Sequence, residues 1–496
     1  MNKLFLFAIG GTGERVVNSL VMLLAAGMET KSEIIPVFFD TDIDSKALDR
    51  AITIIDRYVK IHKQLTRFDH YSMPFFNTAI PSVEKMVVDG GQVETLHDLI
   101  DEINLLQAGK DELKLLFSDK NLEMPLNMGF IGNPNIGSVA LNYLLEGRSY
   151  TDIQSRIHDG DKIFIISSIF GGTGAAGFPL LLNKLRNDKN IGGKDSKITV
   201  GGATILPYFE FIHQQANGTP LLDEYKENID SGTFTAKTKA ALMYYDAYIK
   251  DNGLSSLYYL GDDKQRSVYK KVLGGIHQDN PANFIELLTA LSILHFDKNA
   301  KPFSETNRTN FYNYALMLSQ DSKNLNLNSI SSKDYDLKTA LVSFHLFKLI
   351  WEKFLENYIN MQATWAVKSG FDSNKYQHHH LSETLKSFFI SYQEWKDELN
   401  NINHGRRFNY YNDTQNTFNE KTITEHFSPD ISKKVKHKFW EKEKYTIDPC
   451  ILNSMNKVEG KSKDGDYSED ESVVFAMYCI SEAVKLIIKE KKVIIK

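Results

Sequence analysis

Three glycine-rich stretches and a few acids carry most of the chemistry this sequence can perform. Gly171-Gly172-Thr173-Gly174 follows an apolar run, Ile163 to Ile169, that reads as a buried parallel strand. A helical pattern follows, with apolar residues at Phe178, Leu181, Leu182 and Leu185. Strand, glycine turn and helix is the geometry that aims free backbone N–H groups at an anion. Gly10-Gly11-Thr12-Gly13 stands in the same position after a first strand, Lys3 to Ile9. A third loop, Gly132-Asn133-Pro134-Asn135-Ile136-Gly137, holds residues that accept positive φ. Asp40 and Asp42 close a second apolar strand, Glu33 to Phe39. Their oxygens suit Mg2+, directly or through water, and they are equally placed to cap a helix starting near Ser45. No GxxxxGK(S/T) occurs, so a phosphate site here is not an ordinary P-loop.

The elements that must hold these residues can be read in order. Arg15 to Ala26 has a helical apolar face, and Gly27 is a stop. Pro36 argues for an edge or a bulge in the second strand. Ser45 to His62 reads as a helix, and residues 63–125 as a charged, helix-rich insertion. Lys197 to Leu206 is a strand ending in Pro207-Tyr208-Phe209-Glu210, followed by a helix, Phe234 to Ile249, and a strand, Leu254 to Leu260. Asp279-Asn280-Pro281 offers a capping side chain and a proline at the first helical position. Ala282 to Phe296 is apolar nearly all round, as a buried helix should be. Residues 297–333 are polar and read as loop-rich. Leu337 to Ile359 and Ser472 to Lys491 are helices, with a charged exposed loop, Lys457 to Glu471, between them. His378, His379 and His380 invite a metal reading, but consecutive histidines share no helix or strand face, and no partner cluster stands out.

Bulk properties narrow the classes. The 496 residues allow two to four domains. A net charge of −5 gives no global case for nucleic acid or a membrane surface. Two cysteines, Cys450 and Cys479, make neither a disulfide framework nor a metal quartet, which fits a reducing cytoplasm. No apolar stretch reaches membrane-span length. The opening MNKLFLFAIGG runs straight into the first glycine turn and reads as a buried strand in preference to a signal peptide.

The ordered motifs resemble the tubulin/FtsZ superfamily over about residues 1 to 300. FGGTGAA, from Phe170 to Ala176, is similar to its signature loop, with Phe170, Ala175 and Ala176 departing from the usual residues. Asp40-Thr41-Asp42 followed by Ala47-Leu48 is similar to a family Asn-Thr-Asp segment, with Asp40 in place of the asparagine. Gly132 to Gly137 resembles the GxNPxxG phosphate loop. The chain looks like a divergent bacterial tubulin-like protein. That likeness implies an α/β, parallel-sheet GTP-binding domain over 1–300, a central helix at 280–298 and a divergent, helix-rich domain over 301–496. It implies GTP and Mg2+ as ligands. Glu210 would reach the ribose, and Asn280, Asn283 and Phe284 would meet the base, although capping and packing explain those three as well. The resemblance further implies head-to-tail self-assembly, with hydrolysis completed by acids of the next subunit. Asp334 and Asp336 are the candidates, and an exposed polar loop, where acidic residues mostly lie, explains them as well. Two other functions stay open: a non-polymerising, nucleotide-gated scaffold whose C-terminal domain binds a partner, and a Rossmann-like dinucleotide enzyme with Asp40 on a ribose. The first glycine run lacks the third glycine the latter needs.

Overall fold

The computed structural model of the chain describes residues 2–42, 45–86, 94–126, 130, 132–189, 191, 196–212, 234–249, 254–262, 266–270, 280–304, 308–313, 324–327, 330, 336–357, 376, 378–401, 406–409 and 467–490. Among the described residues, seven strands form one wholly parallel sheet. At its centre lie β1 (Lys3–Ile9) and β4 (Lys162–Ser168), with β2 (Glu33–Phe39) on one side and β5 (Thr199–Ile205) on the other. Three-residue β3 (Glu84–Met86) makes one edge; β7 (Ser256–Leu260) and then β9 (Asn310–Asn313) complete the other. The apolar runs are buried on both faces because helices cover both, which is the environment parallel strands require. Adjacent glycines in β5 show the two layers: a Cβ on Gly201 would strike Phe296 on one face, and one on Gly202 would strike Phe178 on the other.

Pro36 is tolerated for a local reason. The Ile34 N–H donates outward to Ala79 O, so two residues on, the Pro36 nitrogen also faces outward, and β3 covers only Val37 to Phe39.

Helix α1 (Gly10–Ala25) starts directly at Gly10, so the glycine run is its first turn and not a separate turn before Arg15. It is buried all round, against the sheet and the helices laid over it. α2 (Lys46–Arg67) runs five residues past the expected His62. Short helices α3 (Leu96–Glu102), α4 (Gln107–Leu116) and α5 (Asp119–Leu122) follow, then α6 (Pro134–Glu146), α7 (Arg148–Gln154) and α8 (Thr173–Asn187). Beyond β5 a small parallel pair, β6 (Phe209–Ile212) with β8 (Ser267–Lys270), flanks α9 (Phe234–Ile249).

The buried helix α10 (Phe284–Asn299) begins three residues after Pro281, so that proline is not its first residue. Its cap is Asn283, which forms a capping box with Glu286. The stretch expected to be loop-rich holds β9, whose aromatic Phe311 and Tyr312 pair with β7, and β10 (Asn324–Asn326). The C-terminal part is helix-rich: α11 (Leu337–Asn357), α12 (His380–Asn400), the short β11 (Arg407–Asn409) beside β10, and α13 (Glu469–Glu490). α12 packs on α2, and its Trp395 indole N–H donates to Ser19 Oγ of α1 at 3.1 Å. No helix among the described residues is long and apolar enough to cross a membrane.

Candidate functional site

The carboxyl ends of β1, β2 and β4 bring the three glycine stretches together. Gly10 opens α1 at φ +70, a conformation that disfavours any side chain, and a Cβ there would lie 3.4 Å from Thr173 Cβ and 3.7 Å from Asp40 Oδ2. Thr173 opens α8 and its hydroxyl bonds Asp40. Gly132 has φ +71 and precedes Asn133, which caps α6 by accepting from Asn135 N at 3.1 Å, with Pro134 in the first helical turn. A Cβ on Gly172 would lie 3.2 Å from the backbone nitrogens of both Gly132 and Asn133. Gly137 faces Gly172 O in the same way, at 3.1 Å. Three helices, α1, α6 and α8, therefore start within one small region. Their first N–H groups lack helical acceptors, and the positive ends of three dipoles meet there. Gly171 is half-buried, and among the described residues other than its chain neighbours Ser168 Oγ lies nearest to where its Cβ would stand, at 3.2 Å. Gly174 admits no side chain, because Ser168 O blocks it.

Beside this cradle lie three buried carboxyl groups. Asp40 Oδ1 accepts from Thr41 N at 2.7 Å and from Asp42 N at 3.2 Å. Burial pushes the Asp40 carboxyl up to about 7; the Asp42 charge adds to this, and the bonds from the loop and from Thr173 oppose it. Glu14, the fifth residue of α1, is held well above the carboxylate range, by burial first and then by Asp40. Its Oε2 accepts from Ser45 Oγ at 2.7 Å, while its Oε1 is buried with no hydrogen-bond partner among the described residues. Ser45 also accepts from Leu48 N, so Ser45, not Asp40, caps α2. A set of acids that raise one another's proton affinity, with an oxygen left over, suits a hard divalent cation. Mg2+ fits these residues, with Asp40 and Asp42 as the expected ligands and Glu14 behind them.

The expected base pocket is differently engaged. Asn283 is buried: Oδ1 accepts from Ile285 N, and Nδ2 donates to Ser267 Oγ at 2.8 Å and to Tyr269 OH at 3.2 Å. Phe284 is buried and stacks on Phe408 at 5.3 Å. Both are engaged in cap and core, with Asn283 4% and Phe284 1% exposed. Asn280 lines a small pocket with Arg15, Asn18, Lys46 and Arg50. Glu210 is exposed on β6, next to Phe209, whose ring packs on Phe170, just before the Gly171–Gly174 stretch.

Two features escaped sequence reasoning. Arg15 Nε donates to Glu286 Oε1 at 2.6 Å, Arg15 Nη2 donates to Tyr208 OH at 2.9 Å, and Tyr208 OH donates to the same Glu286 oxygen at 2.7 Å. Glu286, an acid within the apolar run Ala282 to Phe296, was the available signal. Lys237, on the first turn of α9, donates to Gly132 O at 3.0 Å and sets a cation on the cradle rim. No pattern in the sequence marks it.

Asp334 lies outside the described residues. Asp336 Oδ1 accepts from Thr339 N at 2.9 Å at the start of α11, and the residue lines a pocket with Gly27, Lys31 and Lys298 at the far end of α1. The 16 residues of α1 separate that end from Gly10 by about 24 Å. Asp336 cannot reach a ligand in its own chain's cradle.

No protein-family model matches this sequence, and no curated protein matches it. Among solved structures, it is similar to CetZ2 from Haloferax volcanii, described as a GTPgS-bound protofilament, with 13% identity and a TM-score of 0.28. The match covers 60% of this chain and 58% of that one. Similarity at that level assigns neither ligand nor assembly to this chain.

Proposed function

We propose that this protein binds a guanosine triphosphate with Mg2+ in the glycine cradle and assembles head to tail into filaments, as a tubulin/FtsZ-like protein would. The observation that carries this reading is the convergence of three chain-distant glycine turns, at Gly10, Gly132 and Gly172, on one rim of the sheet. Helix N-termini and loop amides there supply donors for a triphosphate without a P-loop lysine. When bound, Mg2+ would supply positive charge against the phosphates. Asp40 and Asp42 would hold it, with Thr173 orienting Asp40 and Glu14 behind them.

Hydrolysis belongs to the contact between copies. Asp336 stands at the opposite end of α1, so stacking one copy's Asp336 end on another's cradle would bring an acid to the γ-phosphate side, where a carboxylate positions water. Such a contact does not close on itself, and an open filament results. One observation favours a second reading, a nucleotide-gated scaffold without turnover: Asp336 is already used as the cap of α11.

One experiment separates the readings. The nucleotide retained by the purified protein is identified, then GTP and Mg2+ are added while light scattering and phosphate release are followed. Scattering with phosphate supports the filament GTPase. Bound GTP without either supports the scaffold, and a bound dinucleotide removes both.

A further inference from the structure

The histidine run that offered no shared face in the sequence acquires a partner in the fold. His379 is the N-cap of α12 and His380 its first residue, so the two rings leave the chain from a cap and not along a helix face. Their centroids lie 4.2 Å apart. Asp470, in the first turn of α13, faces both: its Oδ1 is 3.0 Å from His379 Nε2 and 3.7 Å from His380 Nε2. The three donor atoms all lie within 4.8 Å of one another. Two ligands on a tetrahedral zinc ion stand about 3.4 Å apart, so the spacing needs little adjustment.

We propose that His379, His380 and Asp470 form a site for a divalent transition-metal ion of the zinc class. Two imidazole nitrogens and one carboxylate oxygen suit zinc, whereas Mg2+ and Ca2+ prefer oxygen ligands. Arg67 holds the other Asp470 oxygen, Oδ2, at 2.9 Å, which orients the carboxylate as outer-shell partners do. Gln64 Nε2 lies 3.2 Å from His380 Nε2 and can turn to the fourth position's water. His379 Nδ1 accepts from Leu381 N at 3.3 Å, so its proton is on Nε2, facing Asp470. On binding, that proton moves to Nδ1, Nε2 takes the metal, and a long cap bond is given up.

The ion would tie the starts of α12 and α13 together at the far end of α2. The 22 residues of α2 place it about 33 Å from the cradle. It is therefore distinct from the Mg2+ of the proposed nucleotide site.

The test titrates Zn2+ alone into metal-stripped full-length protein, by calorimetry and by competition with a chromophoric chelator. One equivalent should bind and raise the melting temperature. His380→Ala, at a side chain 61% exposed, and Asp470→Asn should each weaken binding by at least about tenfold. His378→Ala should leave binding unchanged, since that side chain is 78% exposed and faces Glu383. Matching circular dichroism and metal-free melting of His380→Ala and wild type exclude misfolding as the cause of a loss. Absence of saturable binding overturns the site. So does binding that survives Asp470→Asn, because the histidine run alone would then be the ligand.

Discussion

Gly171→Glu is the substitution that loads the proposed cradle with charge while disturbing the fold least. At Gly172 a Cβ would press on Phe130 and on the Gly132 and Asn133 amides, so a glutamate there would confound misfolding with lost binding. At Gly171 the near neighbour among the described residues is the Ser168 hydroxyl, at 3.2 Å, which can rotate. A carboxylate about 5 Å from a bound phosphate repels each unit of charge by about 3 kcal/mol at an effective dielectric near 20. The triphosphate with Mg2+ carries about two net negative charges, and solvent at the half-exposed rim reduces the sum to about 3 kcal/mol, or roughly a hundredfold in affinity. Gly171→Ala should change affinity by no more than a few fold. The assay is titration of a fluorescent GTP analogue, with circular dichroism and thermal melting as fold controls. Gly171→Glu that folds like wild type and binds within threefold of it would remove this loop from the site and refute the electrostatic reasoning.

Other expectations follow from the same geometry. Asp40→Asn keeps an acceptor for Thr41 N and Asp42 N but removes the charge, so the gain in GTP affinity on adding Mg2+, about tenfold or more in wild type, should shrink to a few fold; an unchanged Mg2+ dependence would discard Asp40 as a ligand. Asp336→Ala should retain GTP binding and lose phosphate release, and mixing it with Gly171→Glu should restore turnover, since one variant keeps the cradle and the other the acid. Failure of the mixture would deny action between copies. Arg15→Met leaves Glu286 buried without its cation and should cost about 3 kcal/mol in denaturant unfolding. The His345 imidazole is held neutral by burial, then by Lys396 and Lys348, so its folded pKa lies well below the ordinary 6.5 or so. Its contribution to stability is therefore complete above about pH 6.5 and is lost as the pH falls below that; His345→Leu should flatten the fall, as read from urea midpoints between about pH 7.5 and 5.

The strands were legible because burial on both faces leaves continuous apolar runs, as in Ile34 to Phe39 and Ile163 to Ile166. The glycine stretches were legible because helix starts packed this closely exclude side chains. What was missed had nonlocal causes. β9 forms since β7 offers Phe311 and Tyr312 an edge to pair with, which no local pattern reveals. The start of α10 was misread because Pro281 outweighed the Asn283–Glu286 box, itself present in the sequence at the expected spacing. Asn283 looked like a base reader, yet Ser267 and Tyr269, from another strand, take its amide. The histidine run gained meaning when α13 brought Asp470 to it.

The most direct measurement is an experimental structure determined with GTP and Mg2+ bound. The expected result is a triphosphate bonded to backbone amides of the Gly11, Asn133 and Gly172 turns together, with the cation beside Asp40. A nucleotide seated on any other surface, or a cradle that stays filled by the protein's own atoms at saturating GTP, would contradict it.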